Sequence, residues 1–159
     1  MGDLAPYLET LIITSGFDDV TSLGIVRDAE EDATTAFRSV CGSLGRARLS
    51  VPKQPMVVAG SNPKVSVFIL PDCSNSGMLE TLCLQTISND PIMSCIDQYF
   101  QCVQNQTGDS PGNLPKAKVH AFLASRPTPG LLLGQASHAG YWAWENPIFD
   151  DIKQFLKTL

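Results

Sequence analysis

Four acids fall within five residues at Asp28-Ala29-Glu30-Glu31-Asp32, directly behind the short apolar run Leu23-Gly24-Ile25-Val26-Arg27. A second apolar run, Val65-Ser66-Val67-Phe68-Ile69-Leu70, ends in Pro71-Asp72. Two buried strands that both end in carboxylates suggest one place in space, because ligands and metals gather beyond the carboxyl ends of strands in an open α/β sheet. Magnesium takes oxygen ligands, usually one or two carboxylates with waters and substrate phosphates. Residues two apart in an extended chain point to the same side, so Asp28 and Glu30 can converge. Asp72 adds a third carboxylate if its strand lies alongside. Glu80, in the first turns of the next helix, leans toward the same spot. Such a cluster would hold one or two Mg²⁺ or Mn²⁺ ions and support in-line phosphoryl transfer. The competing reading is structural: acids after a strand often form a solvated loop or favour a helix N-terminus. Glu31 and Asp32 belong to that class.

Lys116 and His120 are four apart on one predicted helix and share a face. They are the candidates to meet a phosphate or a leaving group, while Lys118 reads as solvated. His138 stands in a segment of small residues with no visible partner. Trp142 and Trp144 flank Ala143 and offer either a stacking platform for bases or core covering a sheet edge. Five cysteines, Cys41, Cys73, Cys83, Cys95 and Cys102, match no zinc or CxxC spacing. Cys83, Cys95 and Cys102 read as small buried hydrophobes; Cys73 follows Asp72 in a loop, without an evident base beside it. Glycine-rich phosphate loops are absent, so neither a dinucleotide fold nor an NTPase is supported.

The elements that must position these residues alternate. Leu4, Tyr7, Leu8, Leu11 and Ile12 mark a helix over 4–14, stopped by Ser15-Gly16. Leu23 to Arg27 is a strand. Asp32 caps a helix with Ala33, Ala36, Phe37, Val40 and Leu44 on its apolar face, closed by Gly45. Lys64 to Leu70 is the clearest strand, with a brief edge strand at 56–58 before it. Helices follow over 78–87, 92–104 and 116–124, and a final amphipathic helix runs over 148–159. Strands alternating with helices predict a small, mainly parallel sheet flanked by helices, in one domain over 1–159.

The 159-residue chain carries 43% hydrophobic and 17% charged residues, a globular composition. A net charge of −5 excludes a broad basic face for nucleic-acid backbones, although a bound divalent cation can neutralise acids locally. No run approaches a membrane span, and Met1-Gly2-Asp3-Leu4-Ala5-Pro6 carries no secretory signal, so a soluble cytoplasmic protein is expected.

Three stretches also carry a family resemblance: Ile25-Val26-Arg27-Asp28-Ala29-Glu30-Glu31-Asp32; Val67-Phe68-Ile69-Leu70-Pro71-Asp72 with Gly77-Met78-Leu79-Glu80; and Lys116-Ala117-Lys118-Val119-His120-Ala121-Phe122-Leu123-Ala124. Together with Gly134-Gln135-Ala136 and Gly140-Tyr141-Trp142-Ala143-Trp144, they resemble a prokaryotic domain-of-unknown-function family that looks like a Toprim-type domain, related to the nuclease part of overcoming-lysogenization-defect proteins. The resemblance implies a Toprim-like α/β fold. Asp28-Ala29-Glu30 matches the family's magnesium-binding acid pair, Asp72 and Glu80 match further acids, and Lys116 matches a functional lysine. One departure stands out. Such domains open with a strand ending in Glu-Gly, ahead of the helix at Leu4; here that first strand and its acid are expected to be missing, and Glu9, mid-helix, does not replace them. Three functions follow. The first is a metal-dependent nuclease-like phosphoryl-transfer domain acting on nucleic acid. The second is an inactive module that binds a partner such as an overcoming-lysogenization-defect-type ATPase. The third is a structural homo-oligomer whose open sheet edge is covered by a second copy.

Overall fold

A computed structural model describes residues 4–159, so Met1, Gly2 and Asp3 of the signal-peptide reading lie outside the described residues. The fold is α/β, with seven helices and a two-stranded parallel sheet among the described residues. The residues form two compact units. One holds the chain through Met78 together with Asp150–Leu159; the other holds Leu79–Phe149.

In the first unit, α1 (Ala5–Ile12) starts on a proline in its first turn, where a missing N–H costs nothing, and buries Ala5 and Leu8. Gly16, at φ +89°, turns the chain toward β1 (Ser22–Asp28). Asp32 then caps α2 (Ala33–Arg46), its carboxylate accepting the Thr35 N–H at 2.6 Å. Ala33, Ala36, Val40 and Leu44 recur at helical spacing and are all buried. The helix does not close at Gly45. It runs on to Arg46, and the left-handed exit falls at Arg48, φ +56°.

β2 (Lys64–Leu70) is buried from Val65 through Leu70, the continuous apolar pattern of a parallel strand covered on both faces. It pairs with β1 in register from Ser22 opposite Lys64 to Asp28 opposite Leu70. Alternation along the strands divides the sheet's two faces. Ile25, Val65, Val67 and Ile69 pack with Leu8 and the α2 stripe. The opposite face carries Gly24, Ser66 and Phe68, and α7 (Asp150–Thr158) covers it through Phe155, whose ring lies 5.5 Å from that of Phe68. A side chain at position 24 would collide with Leu159 and Phe155, so glycine there lets α7 approach. Along the far side of β2, Met56 N–H donates to Val67 O and Ala59 bridges Val65. The expected edge strand at 56–58 is thus one bridge and one bond, in a segment interrupted by prolines. β2 is interior, and β1 is the outer strand.

The second unit is helical: α3 (Leu79–Thr86), α4 (Ile92–Thr107), α5 (Leu114–Ala124) and α6 (Leu133–His138). α4 outruns its expected end at Gln104 because the stop is Gly108, at φ +77°, whose N–H bonds Gln104 O. Asn113 caps α5 by accepting the Lys116 N–H at 3.0 Å. The core gathers Cys83, Ile87, Ile96, Val119, Phe122, Leu123, Ala136 and Trp142. Trp142 stacks on Phe122 at 5.2 Å and donates its ring N–H to Leu133 O. It is core, as expected, but core of this helical unit rather than cover for the sheet. Trp144 stays 41% exposed and leans on Phe149. No helix among the described residues is long and apolar enough to cross a membrane.

Candidate functional site

β1 and β2 end side by side. Asp28 is the last paired residue of β1, opposite Leu70, and the Ala29 N–H still donates to Leu70 O at 2.9 Å. The two carboxylates read from sequence as strand ends, Asp28 and Asp72, therefore follow neighbouring parallel strands at one carboxyl edge. Asp28 is half-buried; Glu30 is exposed.

Two details change how these acids sit. Glu30 adopts φ +59°, the left-handed region, and exchanges backbone hydrogen bonds of 2.8 Å with Gly77 in both directions. The chain is not extended at Glu30, so the two-residue period that was to align it with Asp28 does not apply there. Its side chain instead lines an open cleft of about 490 Å³ with Glu31, Asp32, Thr35 and Ser39. Thr35 and Ser39, four apart on α2, were not singled out from sequence; their only signal was that spacing.

Asp72 holds its own loop. One carboxylate oxygen accepts the N–H groups of Ser74 (3.0 Å) and Asn75 (2.8 Å), and the other accepts the Asn75 side-chain amide at 2.7 Å. Burial pushes its pKa up, but the hydrogen bonds from Asn75 and Ser74 outweigh it, and the carboxyl stays below its ordinary range. Asp72 is thus a fixed negative charge, with three of roughly four acceptor positions used. Cys73, next in line, has φ +65°, and its sulfur accepts the Ile69 N–H at 3.4 Å. Burial raises its thiol above the ordinary value, the opposite of what a thiolate nucleophile requires. Of the cysteines expected to be buried, Cys83 is and Cys95 and Cys102 are not. Cys83 is buried and pushed up to about 12, by burial and then by the Glu80 charge. Cys95 and Cys102 are exposed on α4, which buries only Ile96.

The remaining candidates lie in the helical unit. Glu80, Lys116 and His120 share a pocket of about 310 Å³ with Val119, Leu123 and Leu131–Leu133. The shared face of Lys116 and His120 is therefore as expected from their spacing. The leucine wall was missed; it follows the Pro127, Pro129 and Gly130 breaks, and its place depends on how α6 folds back. Lys118 pairs with Asp97 at 2.7 Å rather than being merely solvated. No group of three or more His, Cys, Asp or Glu side chains forms a preassembled metal cage among the described residues.

Asp32 titrates low through its bonds to Thr35, Asp72 as above, and Asp90 through the Ile92 N–H and then Arg126. A carboxyl depressed in the folded state adds stability above its unfolded value, and that stability is lost as pH falls through the folded value. The melting temperature is therefore expected to fall progressively below about pH 4. Asp72→Asn and Asp90→Asn should each flatten that limb; an unchanged acid limb in both variants would contradict the assignment.

Residues 3–159 match a protein family described as "Protein of unknown function (DUF3226)". No curated protein and no solved structure matches the chain.

Proposed function

The chain belongs to the DUF3226 family, and from that premise and the geometry of the sheet edge we propose a Toprim-like domain whose Asp28 and Asp72 hold a divalent cation, with Glu30 orienting a coordinated water, for nuclease-like phosphoryl transfer on nucleic acid. The observation that carries this reading is the parallel register that sets Asp28 opposite Leu70, two residues before Asp72. The donor set is all oxygen, which suits Mg²⁺ or Mn²⁺ rather than softer metals. Magnesium keeps most of its waters and takes one or two carboxylates plus substrate phosphates, so a closed cage is not needed. Asp72 fits this role: it is ionised, held rigidly by its loop, and has an acceptor position to spare. When bound, such an ion would neutralise the acidic edge toward a phosphodiester and polarise its oxygens. Asp28 and Asp72 would fix its position; Glu30, across the cleft from Thr35 and Ser39, would orient a coordinated water.

Calorimetric titration with Mg²⁺ and Mn²⁺ tests this. Weak binding is expected, and Asp28→Ala should reduce it about tenfold or more. Asp72→Asn keeps an acceptor for the Ser74 and Asn75 N–H groups but removes the charge and the bond from the Asn75 side-chain amide, so metal binding lost while the melting temperature is unchanged is lost for an electrostatic reason. Absence of binding at millimolar metal would rule the reading out. If metal binds, incubation with single-stranded and nicked DNA tests the chemistry.

A second reading rests on a different observation. β1 bonds β2 through alternate residues, with Thr21 O and Ala29 N–H marking the series. Ser22, Gly24 and Val26 then direct their backbone groups away from β2, and no third strand is present among the described residues. An open edge of this kind accepts a strand from another chain. On this reading the domain is an inactive module that pairs with a partner, an overcoming-lysogenization-defect-type ATPase or a second copy. A solution size measurement decides the second-copy form: a dimer dissociated by Val26→Lys supports it, and a clean monomer opposes it.

A further inference from the structure

The pocket of the helical unit joins features that ordinary packing does not require together. One wall is apolar, from Leu131, Leu132 and Leu133. Three ionisable groups face it: Glu80, Lys116 and His120. Neighbouring charges are committed elsewhere, Lys118 to Asp97 and Arg126 to Asp90. Among the described residues, the side chains of Glu80, Lys116 and His120 carry no hydrogen bond or ion pair. Leu132 stands at the pocket 72% exposed, an uncovered large apolar side chain beside three uncommitted polar ones.

The scaffold around these groups is fixed. Asn113 caps α5 through the Lys116 N–H, which sets the start of the helix and the place of Lys116. His120 follows one turn on, while Val119 and Leu123 anchor the helix in the core. On α3, Glu80 lies one residue from the helix start, and Leu82 and Cys83 bury behind it. The leucines are held by the Gln135 side chain, which accepts the Leu132 N–H at 2.9 Å, and by Trp142, which bonds Leu133 O.

We propose that this pocket binds a free α-amino acid with an apolar side chain. Each feature then has a partner. The carboxylate meets Lys116 and His120, the ammonium meets Glu80, and the side chain covers Leu131–Leu133. A fatty carboxylate would leave Glu80 facing a negative or apolar neighbour. A phosphate would leave the leucines uncovered. A lone cation would meet Lys116. Of these ligand classes, a zwitterion with an apolar tail matches both charge signs and the wall. The volume of about 310 Å³ lies at the lower end of small-molecule pockets, roughly 300–1,000 Å³, as suits a single amino acid. The inference is independent of the metal-edge reading, because no residue is shared between the two sites.

The test is calorimetry of the full chain with L-leucine and L-phenylalanine in buffer containing EDTA, so that metal binding elsewhere has no part in it. Binding in the millimolar range or tighter is expected, with a ligand-dependent rise in melting temperature. Lys116→Ala and Glu80→Gln should each weaken it about tenfold or more. Lys116 is exposed and Glu80 half-buried, so a thermal melt of each variant without ligand establishes that it is folded. Leu132→Asp, also at an exposed position, should abolish binding of either amino acid. Two analogues assign the charges: 4-methylpentanoate lacks the ammonium and leucinol lacks the carboxylate, and both should bind more weakly than leucine. The proposal is overturned if neither amino acid binds at millimolar concentration, if Glu80→Gln leaves leucine affinity unchanged, or if either analogue binds as tightly as leucine.

Discussion

Phe122→Ala is expected to lower the stability of the helical unit by about 3–5 kcal/mol, the range for deleting a fully buried aromatic. Phe122 is 1% exposed and stacks on Trp142 at 5.2 Å, while the Arg126 guanidinium lies 4.0 Å from its ring centroid. The loss therefore has three parts: buried apolar area, an aromatic pair worth about 0.5–1.5 kcal/mol, and a cation–π contact of about 0.5–2 kcal/mol. Arg126 gains nothing in return, because its Nε is already buried without a partner among the described residues. Phe122→Leu separates these parts. It keeps most of the apolar volume and removes the ring contacts, so about half of the full loss is expected. Denaturant unfolding followed by tryptophan fluorescence reads both variants, since Trp142 reports directly on the stacked face. A loss under about 1 kcal/mol for Phe122→Ala would show that this ring does not organise the unit.

The elements that sequence specified best are those whose causes are local or continuous. Asp32 caps α2 because a short acceptor three residues ahead of a free N–H is a local fact. β2 was readable because Val65 through Leu70 is apolar apart from Ser66, a pattern that few structures other than a buried strand accommodate. Parallel pairing followed from the alternation of strands and helices, and it set Asp28 and Asp72 at one edge. What failed to show depends on contacts distant in sequence. Nothing in Glu30 signals a left-handed backbone, which arises from its two bonds to Gly77. Cys95 and Cys102 sit on an apolar-looking helix that buries one residue along its length, so periodicity overstated its burial. Trp142 was readable as core, but which core it joins was decided by Phe122 and Leu133.

The acids show the same division at the level of function. Asp32 is explained by its cap and needs no chemistry. Asp72 is explained by its loop, yet that explanation also delivers a rigid, ionised carboxylate at the strand end. Asparagine there would keep the two N–H bonds through its side-chain oxygen but lose the one from the Asn75 amide. Comparison of Asp72→Asn with Asp72→Ala therefore reads the two roles separately. The alanine variant loses the charge with all three loop bonds, and the asparagine variant loses the charge with one of them.

Phe155→Ala is expected to cost the sheet-bearing unit about 3–5 kcal/mol, and the loss should begin at α7. This helix has nine residues, too short to persist alone in water, so its tertiary contacts hold it in place. Phe155 is 1% exposed and packs on Phe68, and the same seam is closed by Leu159 over Gly24. Parallel strands require cover on both faces. Without Phe155, the Phe68 face loses its cover while the face packed against α2 keeps its own. Amide exchange should therefore rise first in α7, and β2 should remain protected until global unfolding. Gly24→Val attacks the seam from the other side, by placing a side chain where Leu159 and Phe155 lie, and costs about 1–3 kcal/mol. The two variants act on one contact. Once Phe155 is gone, the Leu159 side chain that the valine displaces can shift into the vacated space, so the double variant should be little worse than Phe155→Ala alone. Full additivity would mean that α7 is not held to the sheet through this seam.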